Sequence, residues 1–177
     1  MNEYGEWQAP GCIRFERLLG APADLVWEYL VDAEKRSRWL AGGEFELRAG
    51  GRAGFVFRNG NLCRPGDGPP EKYRSLSGEV RLEGRVLEAV APSRLVLEWP
   101  SEQGPPSIVT FELEARGSET LLRLTETGLP ARGDLLGAAA GWHAHLDILA
   151  ALAGSAPPPS FWSNHSRLEA EYGLRLS

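Results

Sequence analysis

Positive charge is scarce in this chain. Its only lysines are Lys35 and Lys72, and 24 acidic residues face 19 basic ones across 177 residues, for a net charge of −5. A chain without basic clusters is a poor ligand for phosphate backbones, so nucleic acid is not expected as a partner, nor is an anionic membrane surface. No apolar run reaches the ~18–20 residues of a membrane span. No charged-then-apolar leader opens the chain, so a cytoplasmic protein without membrane contact is expected. Cysteine is nearly missing: Cys12 and Cys63 are far apart in sequence and form neither a disulfide framework nor a metal knuckle. Two reduced thiols follow.

Catalytic signatures are lacking as well. There is no glycine–any–serine–any–glycine elbow to hold an acyl-transferring serine. Neither lysine follows a glycine-rich turn, so there is no phosphate loop. His143 and His145 are two residues apart and leave a helix on different sides, while His165 is in the tail. No metal and no cofactor are therefore expected.

What the chain does have is a globular composition, with 42% hydrophobic residues, and enough length for one domain with a sizeable core. Its most ordered stretch runs from Asp134 to Ala153. Leu135, Ala139, Trp142, Leu146, Leu149 and Ala153 recur at steps of three and four, which is one apolar stripe on a helix. Asp134 is suited to the first turn or cap and Gly154 to the stop. Such a helix is ~30 Å long. Gly137, Ala138, Ala140, Gly141 and Ala144 make its opposite face small, which suits close packing inside a curved sheet.

Most of what precedes it reads as strands. Residues 1–10 show no period and are expected to be a loose terminus. Ile13 to Leu19 alternate as a first strand. Pro22 opens a short helix carrying Leu25, Val26, Tyr29 and Leu30, and Asp32 caps a second one ending at Arg38. Alternation then predicts strands around Phe45–Leu47, Ala53–Phe57, Gly78–Val90, Leu95–Trp99, Val109–Leu113 and Thr120–Glu126, with a hairpin turn at Gly50-Gly51. Asn59 to Ser77, rich in glycine and proline, is expected to be a mobile, lid-like loop near a cavity opening. Residues 155–177 hold a stiff triple proline, then Phe161-Trp162, then a short helix through Leu168, Tyr172 and Leu174. This extension either packs its aromatic pair on the 11–154 domain or serves as the arm of a homodimer.

This order resembles the α+β helix-grip fold of the START and birch-pollen-allergen (SRPBCC) superfamily, in which a curved antiparallel sheet of about seven strands wraps a long C-terminal helix, with two short helices after strand 1. Particular segments are similar to the activator of heat-shock-protein ATPase homologue (AHSA-type) family. They are Ala21-Pro22-Ala23-Asp24-Leu25-Val26-Trp27, Arg38-Trp39, and Gly84-Arg85-Val86-Leu87-Glu88 leading to Ala91-Pro92-Ser93-Arg94-Leu95 and Trp99. Val109-Thr110-Phe111-Glu112-Leu113, Thr120-Leu121-Leu122 and Gly141-Trp142 continue the match, which covers roughly Arg14 to Gly154. The resemblance implies a cavity between sheet and helix in a bacterial-type stand-alone domain, and no fixed chemistry.

The expected function is binding of a small hydrophobic molecule. Its candidate contacts are Trp39, Phe55, Phe57, Trp99, Phe111, Leu122, Leu124, Glu126, Trp142 and Leu146, aromatic and aliphatic walls with one polar fixture. The same aromatics serve equally as plain core. Leu122 and Leu124 must face inward because Arg123 does not, and Glu126 keeps their parity unless a bulge intervenes. Glu126 then either lies at the cavity mouth or contacts the ligand. Glu88 shares that ambiguity beside Val86 and Val90. Two other functions remain open. In a cyclase- or aromatase-like enzyme Glu126, His143 or Asp147 would move protons, His143 and Asp147 being paired at helical spacing. In a co-chaperone-like or stress-response interaction module, an exposed apolar patch would meet a partner protein.

Overall fold

Alternating burial builds the sheet. In the strand Ser107–Arg116, residues Ser107, Val109, Phe111 and Leu113 are buried while their neighbours are not, the period of a half-covered strand. The computed structural model describes residues 2–101, 104–129 and 132–175. Among the described residues seven strands form one antiparallel sheet: β1 (Glu6–Ala9), β2 (Cys12–Leu19), β3 (Gly51–Phe57), β4 (Val80–Val90), β5 (Arg94–Trp99), β6 (Ser107–Arg116) and β7 (Glu119–Thr127). Their spatial order is β1-β2-β7-β6-β5-β4-β3. Helices α1 (Ala23–Val31) and α2 (Ala33–Ser37) follow β2, and α3 (Arg132–Ala153) and α4 (Phe161–Arg175) close the chain. This is the α+β helix-grip architecture.

The strand count agrees with expectation, but its membership does not. Residues 6–9 are not loose: they pair with β2 at the sheet edge, and four residues are too few to show a period. Around Phe45–Leu47 there is no strand, only isolated bridges from Gly42 to Val56 and Phe45 to Ala53. The chain there folds into a tight turn instead. The Glu46 carboxylate accepts from the Arg52 amide at 2.9 Å, and the Glu46 carbonyl lies where a Cβ on Gly51 would be. In β4 the register shifts between Val86 and Glu88. That bulge turns Glu88 to the outer face, where it meets Arg94 at 3.0 Å.

Helix α2 forms as its cap predicts, with Asp32 Oδ1 accepting from the Lys35 amide at 2.8 Å. It also carries a feature the sequence hid. Arg36 is 1% exposed and has no carboxylate partner among its hydrogen bonds. Its guanidinium donates to the carbonyls of Leu30 and Val31 at the end of α1, and to those of Ala41 and Gly43 beyond α2. The α1 carbonyls are the negative end of a helix, so the cation suits them. It also lies 3.6 Å from the Phe45 ring centroid. Burial pulls its pKa down to about 10.

Helix α3 buries Ala139, Trp142, Leu146, Leu149 and Ala153 against the sheet, as the stripe predicts. Leu135 is only half-buried, and the expected role of Asp134 as a cap or first-turn anion rests on a side chain outside those described. The small face is not bare either: Ala140, Ala144 and Ile148 are buried too, because α4 returns along that side. Phe161, Trp162, Leu168 and Tyr172 point from α4 into the core, whereas Leu174 is 79% exposed. By length and mean hydropathy (1.3), Leu135–Ala153 does qualify as a candidate membrane span, contrary to the expectation that no run is long enough. It carries few polar residues because it packs between the sheet and α4.

Leu146→Ala removes a fully buried side chain and is expected to cost ~2–5 kcal/mol in chemical denaturation. Arg36→Met strands four carbonyls at once and is expected to cost at least ~3 kcal/mol. A loss below ~0.5 kcal/mol, the size of a surface change, contradicts either assignment.

Candidate functional site

A cavity of about 450 Å³ lies where α3 leaves the sheet uncovered. Three small residues on α3 open it: Gly137, Ala138 and Gly141 all border the space. A Cβ placed on Gly141 would meet nothing within 4 Å. The facing walls are aromatic. Phe57 and Trp99 come from β3 and β5 with ring centroids 6.0 Å apart, and Trp99 lies 4.8 Å from Trp142 of α3. Tyr73, Phe161 and Trp162 enclose the side nearest α4.

Glu126 is the acidic fixture of this cavity. It keeps the parity of Leu122 and Leu124, because β7 pairs with β6 without a bulge, and it is 3% exposed. Ser107 Oγ donates to one carboxylate oxygen at 2.6 Å and Trp142 Nε1 to the other at 2.7 Å. Burial raises its pKa; the two hydrogen bonds work against that rise without cancelling it.

Two histidines border the same space. His145 donates from Nδ1 to the Trp39 carbonyl at 2.6 Å, since a carbonyl only accepts. Burial pushes its pKa down to about 4, so the ring is neutral near pH 7. His165, on α4, is also shifted downward by burial. Neither is among the contacts that the sequence predicts. His165 is 20 positions beyond His145, and only the return of α4 brings both to one wall.

Of the predicted contacts, Phe57, Trp99, Glu126 and Trp142 border the cavity. Trp39, Phe55, Phe111, Leu122, Leu124 and Leu146 are instead closed core, each at most 2% exposed. His143 and Asp147 do pair, Nε2 to Oδ1 at 3.5 Å, but on the opposite side of α3. There the Gly5 amide donates to Tyr172 Oη at 2.8 Å, and the same hydroxyl shares a hydrogen bond with His143 Nδ1 at 2.9 Å. Asp147 also accepts from Asn164 at 2.9 Å and faces Arg17 at 3.5 Å. This network joins the N-terminal segment, α3 and α4. It does not meet Glu126. Among the described residues no group of three His, Cys, Asp or Glu side chains is placed to hold a metal ion.

The segment from Asn59 to Ser77 borders the cavity through Asn59, Tyr73 and Leu76, but it is docked rather than loose. It contains two short 3-10 helices, Asn59–Leu62 and Glu71–Leu76. Tyr73 stacks on Trp162 with centroids 5.7 Å apart and donates to Glu169 at 2.7 Å. Asp67 reaches the start of α4, where it accepts from the Ser160 hydroxyl and from the amide and hydroxyl of Ser163 at 3.1 and 2.7 Å. A carboxylate there serves the free amides of the first turn. The glycines and prolines rule out a ladder, and these side-chain contacts take its place.

Two outcomes follow from this geometry. Asp67→Ala should cost ~1 kcal/mol, as loss of a helix cap does, and should speed proteolytic cleavage between residues 59 and 77; an unchanged cleavage rate means the segment is held otherwise. His145, at 6.5 unfolded and about 4 folded, binds protons more readily in the unfolded chain. Its stabilising contribution is therefore complete above pH 6.5 and fades as the pH falls toward 4. Glu126, with a raised pKa, pulls in the opposite direction. His145→Asn keeps a donor for Trp39 and removes the titration, so its stability loss between pH 7.5 and 4.5 should be ~2–3 kcal/mol smaller than that of the unaltered protein in parallel urea titrations.

Comparison with known proteins agrees with this architecture. A search of the curated proteins finds no match. Among solved structures, a Bordetella parapertussis protein determined by NMR is 35% identical, with a TM-score of 0.82 over 98% of this chain and 91% of its own. CalU16 from Micromonospora echinospora is 24% identical, with a TM-score of 0.65 over 92% of this chain and 86% of its own. A conserved Enterococcus faecalis protein of unknown function is 19% identical, with a TM-score of 0.65 over 93% and 84%. These last two share the fold. The family described as activator of Hsp90 ATPase homolog 1-like protein matches residues 20–154, from the end of β2 to the stop of α3, and the chain belongs to that family.

Proposed function

We propose that this protein binds a small, neutral, largely apolar molecule between α3 and the sheet. The observation that carries this reading is the aromatic-walled cavity of about 450 Å³ opened by Gly137 and Gly141. Its volume is in the range of roughly 300–1,000 Å³ typical of small-molecule sites. A filled interior would have favoured an interaction module instead. The buried Glu126 disfavours an anion beside it. Binding without catalysis is the reading that the side chains support. Both Glu126 oxygens are engaged by Ser107 and Trp142, and His143 and Asp147 lie on the other side of α3. The unpaired thiols Cys12 and Cys63 are compatible with a reducing, cytoplasmic setting.

Gly141→Leu tests this directly. The new side chain grows into open space, and leucine is the better helix former by ~0.8 kcal/mol, so thermal stability should hold or rise. Titration with the neutral dye N-phenyl-1-naphthylamine should show saturable one-to-one binding to the unaltered protein and at least tenfold weaker binding to Gly141→Leu. Equal affinity in the two proteins, or no binding to either, overturns the assignment of the cavity as a ligand site.

A further inference from the structure

A buried carboxylate is ordinarily placed beside a cation. Glu126 departs from that rule: among the described residues it is the one carboxylate bordering the cavity, and no Lys or Arg side chain borders it. Its main chain is paired on both sides, with Ile13 of β2 and Val109 of β6, so the side chain is what it brings to the wall. Ser107 and Trp142 give one hydrogen bond to each oxygen, whereas an ionised carboxylate accepts about four. These two donors favour the ionised form and burial opposes it; burial prevails, and the pKa is raised. The protein thus supplies fewer donors than the charged group can take. Other polar groups on the wall do not make up the difference. Tyr73 gives its hydroxyl proton to Glu169, and His145 gives the single proton of its neutral ring to the Trp39 carbonyl. Space lies next to the carboxylate's partner instead: Trp142 follows Gly141, on which a Cβ would meet nothing within 4 Å.

We propose that Glu126 accepts a hydrogen bond from the ligand, so that the molecule held between α3 and the sheet is a neutral, largely apolar ring system carrying a donor hydrogen, as an arylamine, an indole or a phenol does. A hydrogen bond to an ionised acceptor is among the stronger ones, and apolar walls strengthen it further. The rest of the ring system faces Phe57, Trp99 and Trp142. A ligand whose polar atom only accepts, such as an ether, sets a lone pair against the carboxylate and is disfavoured. A plain hydrocarbon meets the walls without the added bond. This inference rests on the proposed ligand-binding function and narrows it to hydrogen-bond donors. It also orients them, with the donor directed at the ends of β6 and β7 that carry Ser107 and Glu126.

The test compares three probes of nearly equal shape as competitors of N-phenyl-1-naphthylamine on the full chain: carbazole, whose bridge is an N–H donor, dibenzofuran, whose bridge only accepts, and fluorene, whose bridge does neither. In the unaltered protein carbazole should compete at least tenfold more strongly than either of the others. In Glu126→Gln, which keeps the shape but loses the charge, that lead should fall to about threefold or less while fluorene keeps its affinity. Because this variant disturbs a buried group, a second readout uses the unaltered protein alone. The Glu126 carboxyl carbon resonance should move with carbazole and not with fluorene. Dye binding with equal competition by the three probes, or with dibenzofuran in the lead, overturns the donor site and leaves the apolar cavity intact. So does a lead of carbazole that survives in Glu126→Gln with an unmoved carboxyl resonance. Absence of binding by the dye and by all three probes overturns both the donor site and the proposed function.

Discussion

A helix that lacks a polar face must be enclosed, and the rest of this structure answers to that requirement. From Leu135 to Ala153, α3 presents leucine and tryptophan on one side and alanine, glycine and histidine on the other. The sheet covers the first side. Alanine alone on the second would permit a wet surface, but His143 and His145, which leave α3 on different flanks, are nearly as buried as the leucines. Neutral imidazoles can occupy such places only where each finds a partner. His145 finds the Trp39 carbonyl, behind α2, and His143 finds Tyr172 of α4. The tail is thus part of the core, although the family match ends at residue 154. Arg36 does the matching work at the other end, tying α1 and the turn after α2 into one support beneath Trp39.

The same enclosure explains why the cavity is where it is. Bulky residues at 142, 146 and 149 fill the space under the central strands, while glycine at 137 and 141 leaves it open toward β3 and β5. The walls are then aromatic because large rings from three elements can span a gap that no single side chain fills. One acidic group persists in that setting because both of its oxygens are held.

Much of the sheet was readable because period-2 burial is a strong signal where strands run long. Glu126 was placed correctly by parity, and Glu88 was not, for one physical reason: β7 continues without a bulge and β4 has one after Val86. β1 was missed because four edge residues carry no period, and Phe45–Leu47 was over-read because alternation persists through a turn held by Glu46. The aromatic list mixed wall with core, since both need large apolar rings and only the neighbouring residue sizes separate them. His145 and His165 were invisible as a pair. Their meeting depends on the path of a proline-containing turn, and composition says that such a turn is stiff without saying where it leads.

Asp67 joins the segment over the cavity to the first turn of α4, and that joint has a kinetic meaning. Lifting this segment uncaps α4, because Asp67 holds the hydroxyl and amide of Ser163 in its first turn. Opening of the segment is thus coupled to fraying of a core helix, a local event with its own free energy. Under the proposed binding function, exchange on this side of the cavity would follow how often that helix end opens as well as affinity.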